Sequence, residues 1–142
     1  MKNQLECDIR QALDKVSFKM RRSYDESLRE LNLYVGQDNL LARLWQGDGI
    51  TQMQLREHLK CEPPTVTNMV KSLEQNGFVV RKKDPIDGRV VRIYLTQAGR
   101  DLEGPVSEKW QQYQKKLLKD ITVQEKVMLL ELIQRIRRNL SH

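Results

Sequence analysis

The chain has 142 residues, 31% of them charged and 39% apolar, with a formal net charge of +6 and two cysteines. That composition describes a globular domain large enough to build a hydrophobic core. It excludes a helical membrane protein, which needs an apolar run of roughly 18 residues, and a disulfide-framed secreted module. The charged N-terminal stretch is unlike a signal peptide. A reduced, cytoplasmic protein is expected, and its positive charge favours a polyanionic partner.

Leu5, Ile9, Leu13, Val16, Met20, Tyr24, Leu28 and Leu31 recur at spacings of three and four with no proline or glycine between them. The pattern predicts one amphipathic helix over about residues 3–33. It would be roughly 45 Å long, against a radius of gyration of about 15 Å for a compact domain of this size. Its apolar stripe overhangs any core the chain can build alone, so Leu5, Ile9, Leu13 and Val16 are expected to meet a second copy. Gly36 is expected to break this helix. A short second helix carries Leu40, Leu41, Leu44 and Trp45 inward, and the residues "QGDG" read as a turn.

Thr51 with Gln54 three residues on is a capping box opening a third helix, whose core contacts are Leu55 and Leu59. The stretch "CEPPTVTNMVKSLEQNG" opens on prolines, which a helix tolerates in its first turn, and closes at Asn76-Gly77. Val66, Met69, Val70 and Leu73 form its inner face. Pro64, Asn68 and Lys71 point the opposite way, flanked by Thr65, Thr67 and Ser72. The period then changes to two. "FVVRKK" and "VVRIYL", separated by "DPIDGR", predict a two-stranded hairpin. Thr96 caps a further helix bearing Trp110, Tyr113, Leu117 and Ile121. Thr122 and Glu125 form a capping box for a final one, whose Leu130, Ile133, Ile136 and Leu140 are expected to join the dimer interface.

The fold class is therefore mainly α with a small β-hairpin wing: a winged helix-turn-helix flanked by N- and C-terminal dimerisation helices, in one domain. The helix opening at the prolines suits the major groove of double-stranded DNA, with the hairpin beside it. Between Asn76 and Arg100, six basic residues (Arg81, Lys82, Lys83, Arg89, Arg92 and Arg100) face two acidic ones, Asp84 and Asp87. A basic wing next to a face of hydroxyl and amide side chains is the pattern of a nucleic-acid reader. Candidate DNA contacts are Pro64, Thr65, Thr67, Asn68, Lys71, Ser72, Arg81, Lys82, Lys83, Arg89 and Arg92. Asp87 is expected to orient Arg89 toward a narrow minor groove.

The run from Ile50 to Leu102, with P-T-V-T in the reading helix, L-E-x-x-G at its end, D-x-R in the wing and L-T-x-x-G after it, resembles the core of the MarR family of bacterial transcriptional regulators. The long first helix and the two last ones match that family's dimerisation region. The resemblance implies a homodimer on a pseudo-palindromic operator, usually a repressor relieved by a small ligand or by oxidation. Three residues depart from the pattern. Lys60 stands where the turn often has glycine, Glu62 takes the N-cap position where Ser or Thr is usual, and Cys61 replaces an apolar residue as a small buried filler.

Cys7 resembles the sensing cysteine of the family's peroxide-responsive branch, which makes a redox-sensing repressor one alternative. Gln11 stands one turn on, the nearest tyrosine in sequence is Tyr24, and the adjacent Glu6 and Asp8 disfavour a thiolate. An interface cysteine is the plainer reading. No Ser-His-Asp order, H-E-x-x-H or paired C-x-x-C occurs, so neither catalysis nor a metal or cofactor is expected. His58 reads as a half-buried helix residue, and with Cys61 it offers a metal only two ligands. A further alternative is a winged-helix module for protein–protein assembly, which would carry an apolar reading face instead of Thr65, Thr67, Asn68 and Lys71.

Overall fold

A computed structural model describes residues 3–141. The elements run α1 (Gln4–Arg29), α2 (Gln37–Gln46), β1 (Ile50–Thr51), α3 (Gln52–Leu59), α4 (Pro63–Gln75), β2 (Val79–Lys83), β3 (Val91–Leu95), α5 (Gln97–Asp101), α6 (Glu103–Leu117) and α7 (Val123–Leu140). The chain divides into two compact units, one reaching to Lys109 and the other starting at Trp110.

α1 ends before the point that periodicity predicts. Asn32 adopts the left-handed conformation, φ 61°. Its N–H bonds to Arg29 O at 3.0 Å, and Leu33 N–H returns to Leu28 O at 3.1 Å. This is the usual left-handed helix stop, made with asparagine in place of glycine. Leu31 therefore leaves the stripe, and Leu33 turns into the core. Gly36 does not break α1 but caps α2, at φ 102°.

Both capping boxes form. Thr51 and Gln54 open α3, and Thr122 and Glu125 open α7. The prolines sit in the first turn of α4, whose end is closed by bonds from Gly77 N–H to Glu74 O and Phe78 N–H to Leu73 O. Two further expectations need correction. The wing is part of a three-stranded antiparallel sheet, in the order β1-β3-β2, because the outer edge of β3 pairs with Ile50 and Thr51. The single helix expected after the wing is two, α5 and α6, with Pro105 in the first turn of α6, where it interrupts no hydrogen bond.

The core of the first unit joins Leu28 and Leu33 to Leu40, Leu41 and Leu44 of α2, Leu55 of α3, the inner face of α4, and Val79, Ile93, Leu95, Leu102 and Val106. Val66, Met69, Val70 and Leu73 are all buried, as the helical spacing requires. Gly99 permits the closest approach in this unit: a Cβ there would lie 2.1 Å from Phe78 O. Only glycine fits. Thr96 completes the same joint, donating to Gly77 O at 2.6 Å and accepting from Gly99 N–H at 3.1 Å, so the L-T-x-x-G motif is a strand-to-helix weld.

Two polar side chains are buried where α1 meets α2. Gln37 accepts from Tyr34 N–H and donates to Met69 O of α4, while Asp38 accepts from Tyr24 Oη at 2.9 Å and from Gly36 N–H. The stripe residues behave differently. Leu5, Ile9, Leu13 and Val16 of α1 are exposed, and so are Leu130, Ile133, Ile136 and Leu140 of α7, which buries no residue at all.

Candidate nucleic-acid interface

α4 presents Pro64, Thr65, Thr67, Asn68 and Lys71 to solvent, with Ser72 half-buried at the edge. Glu62 occupies the N-cap but makes no side-chain capping bond, so the carboxylate adds only its charge to the positive end of the helix. The turn before it depends on Lys60 in the left-handed region, φ 54° and ψ 39°. A lysine there carries strain that glycine would not. Cys61 is half-buried, its thiol 3.5 Å from Leu59 O, and so only partly the filler expected. His58 is exposed rather than half-buried.

Thr67 is more constrained than its exposure suggests. Its hydroxyl donates to Pro63 O at 2.9 Å and accepts from Gln52 Nε2 at 2.7 Å. Gln52, the first residue of α3, therefore belongs to this face, although helical periodicity gives it no role. Its link to Thr67 spans fifteen positions, and no local pattern reports it.

In the wing, Arg89 is 92% exposed, and its Nε and backbone N–H both donate to Asp87 Oδ1, at 3.2 and 3.1 Å. The expected grip of aspartate on arginine is thus present. Lys82 lies over the Tyr94 ring, 5.5 Å from its centroid, and Lys83 is exposed beside it. Arg81 pairs with Glu74 of α4 at 3.3 Å, tying β2 to that helix. Arg92 is half-buried. Its Nε donates to Asp84 Oδ2 at 2.7 Å and its Nη1 to Gly49 O at 2.8 Å, so its guanidinium is engaged within the fold.

Asp84 is a residue that sequence reasoning counted only as charge. Besides Arg92 it accepts from the N–H groups of Ile86 and Asp87, at 2.8 and 3.1 Å. The bond from Arg92, helped by those two backbone donors, holds its carboxyl at a pKa of about 2, below the ordinary 3.8. Asp48 does similar work at the other end of β3, accepting from Leu95 N–H at 2.9 Å and Arg100 at 3.1 Å. Gly88 is outside the left-handed region, so the shape of this turn comes from the Asp84 carboxylate rather than from a strained glycine.

Cys7 and Cys61 are free thiols, and no cluster of three or more His, Cys, Asp or Glu suited to a metal occurs among the described residues. No described helix is long and apolar enough to cross a membrane.

A helix-turn-helix with a basic two-stranded wing and a third short strand is the winged helix-turn-helix class. The "MarR family" model matches residues 33–91. The chain is 31% identical over 104 residues to the HTH-type transcriptional regulator YdgJ of Bacillus subtilis, covering 72% of this chain and 63% of that one. It is 30% identical over 102 residues to YwoH of the same organism, an HTH-type transcriptional regulator, covering 72% and 74%. Among solved structures, the organohalide-sensing regulator RdhR in its 2,4-dichlorophenol-bound form superposes with a TM-score of 0.85 at 26% identity, over 98% of this chain and 85% of that one. The S. aureus MepR–DNA complex shares the fold, with a TM-score of 0.80 at 23% identity over 91% and 96%. The chain belongs to the MarR family of transcriptional regulators.

Proposed function

We propose that this chain is a sequence-specific, double-stranded DNA-binding transcriptional regulator of the cytoplasm and not an enzyme. It works as a single MarR-type domain in which residues about 36–100 read DNA and residues about 3–33 and 101–142 form a homodimer. The carrying observation is one surface of the first unit: the hydroxyl and amide face of α4, whose exposed apolar side chains are the prolines Pro63 and Pro64, beside a wing bearing Lys82, Lys83 and Arg89. Thr65 and Asn68 suit base edges in the major groove. Arg89 suits the negative potential of a narrow minor groove. An assembly module would need apolar anchors on this face.

Two copies related by a two-fold axis would present two reading helices to a pseudo-palindromic operator. The exposed stripes of α1 and α7 support that dimer, because an apolar face of such length is rarely left in water. The ligand-bound RdhR structure supports a small-molecule effector, and we read the protein as a repressor that such an effector releases.

Gel shift on genomic fragments at moderate salt tests the reading. A retained subset, released by competitor carrying its own sequence and not by random DNA, is the expected result; retention of nothing, or of every fragment equally, overturns it. Peroxide should leave retention unchanged both in the wild-type chain and in Cys7→Ser. Release by micromolar peroxide that the serine variant abolishes would instead establish the redox mechanism.

A further inference from the structure

The wing is joined to the reading helix by side-chain hydrogen bonds, strand pairing and one step along the chain. Asp84, its side chain 13% exposed, bonds two backbone N–H groups of the wing turn with Oδ1 and Arg92 with Oδ2. Arg92 reaches on to Gly49 O, and Gly49 N–H returns to Ile93 O at 2.7 Å. Thr51 pairs with Arg92 across β1 and β3 and caps α3. Gln52 follows and bonds Thr67 of α4.

From this geometry we propose that Asp84 and Arg92 are positioning residues, an ion-pair clamp that fixes the wing-tip Arg89 at a set offset from the reading helix. The inference rests on the DNA-binding reading above and adds to it a carboxylate, Asp84, whose effect on binding is opposite to its charge. A two-stranded hairpin alone is marginally stable, and its tip would sample many orientations. A tip already held in place loses less conformational freedom when the arginine is inserted. The competing role for Arg92, a phosphate contact, would fall to its Nη2 and the remaining Nη1 hydrogen, because Nε and Nη1 are already bonded to Asp84 and Gly49. The competing role for Asp84, simple repulsion of DNA, predicts that its removal tightens binding.

Fluorescence anisotropy of the full chain on a duplex it has selected from random-sequence DNA separates these roles. Asp84→Ala and Arg92→Ala should each weaken binding at least tenfold, and each loss should shrink below threefold in an Arg89→Ala background. Asp84→Asn keeps an acceptor for the two backbone N–H groups while losing the charge, and should fall between wild type and Asp84→Ala. The salt dependence of binding should be unchanged by Arg92→Ala, whereas a lost phosphate contact would lower the slope of log K against log salt by about 1 for each contact.

Three outcomes overturn the clamp alone: Asp84→Ala binding as tightly as wild type or better, a reduced salt slope for Arg92→Ala, or losses that simply add to that of Arg89→Ala. Should Asp84→Ala fail to fold, Asp84→Asn carries the same comparison. A wild-type chain that selects no duplex overturns the DNA-binding reading and the clamp together.

Discussion

Every buried residue of the described chain lies between Leu28 and Val106, whereas α7 buries none of its 18 residues. Both stretches carry regular apolar patterns, so hydrophobicity does not separate them. The winged helix-turn-helix closes its apolar faces on one another within a single chain. α7 exposes Val123, Val127, Met128, Leu130, Ile133 and Leu140 instead, and the first sixteen residues of α1 are as open, with Cys7 alone among the described ones half-covered. A helix propensity and a capping box suffice to form such helices, but the free energy that holds amphipathic helices in proteins comes mainly from burial of the stripe. One region therefore covers its own apolar faces, and the other leaves its apolar stripes open.

The largest effect should come from charging the open stripe. In a dimer, Ile133→Glu with Ile136→Glu would bury uncompensated charges at about 3–5 kcal/mol each. Sedimentation should then show a monomer at micromolar concentration, with the circular dichroism of the first unit's helices and sheet retained. A double variant that stays dimeric, or a wild-type chain that is monomeric, removes the contrast between the two regions.

Within the self-contained region, the next effect is on reading. Asn68→Ala should cost about 1–3 kcal/mol on a selected duplex and little on random DNA, measured as two dissociation constants. Equal losses on both would make Asn68 a backbone contact. Smaller still, Lys60→Gly should raise stability to urea by about 1 kcal/mol, because the left-handed backbone at this position strains a side chain. A loss of stability would mean that the lysine makes an interaction worth more than its strain.

The finest test is the pH dependence of unfolding. The carboxyl of Asp84 is depressed in the folded protein, so its contribution is fully present above pH 3.8 and is lost as pH falls toward about 2. Urea unfolding between pH 4 and 2 should show a shallower acid limb in Asp84→Asn than in wild type. Parallel limbs would mean that the wing's ion pair does not couple to folding.

Much of this protein was legible from local pattern. The capping boxes at Thr51 and Thr122 act across three residues, the face of α4 follows from 3.6-residue spacing, and Asp87 and Arg89 are near enough in sequence for their contact to be expected. Each depends on groups so near in sequence that the local conformation alone brings them together. Tertiary structure decided the rest. Ile50 and Thr51 become a strand only because β3 offers a free edge, and two residues carry no strand signal of their own. α1 ends at Arg29 because Asn32, three residues on, does what glycine usually does and Leu33 is drawn into the core. Arg92 is held within the fold because Gly49, forty-three positions away, is folded against it, and Gly99 is obligatory because Phe78 O lies where its Cβ would be. These contacts join residues distant in sequence, whose encounter is set by how the elements pack; a periodicity records which face of a segment is apolar, and not what that face or its neighbours will meet.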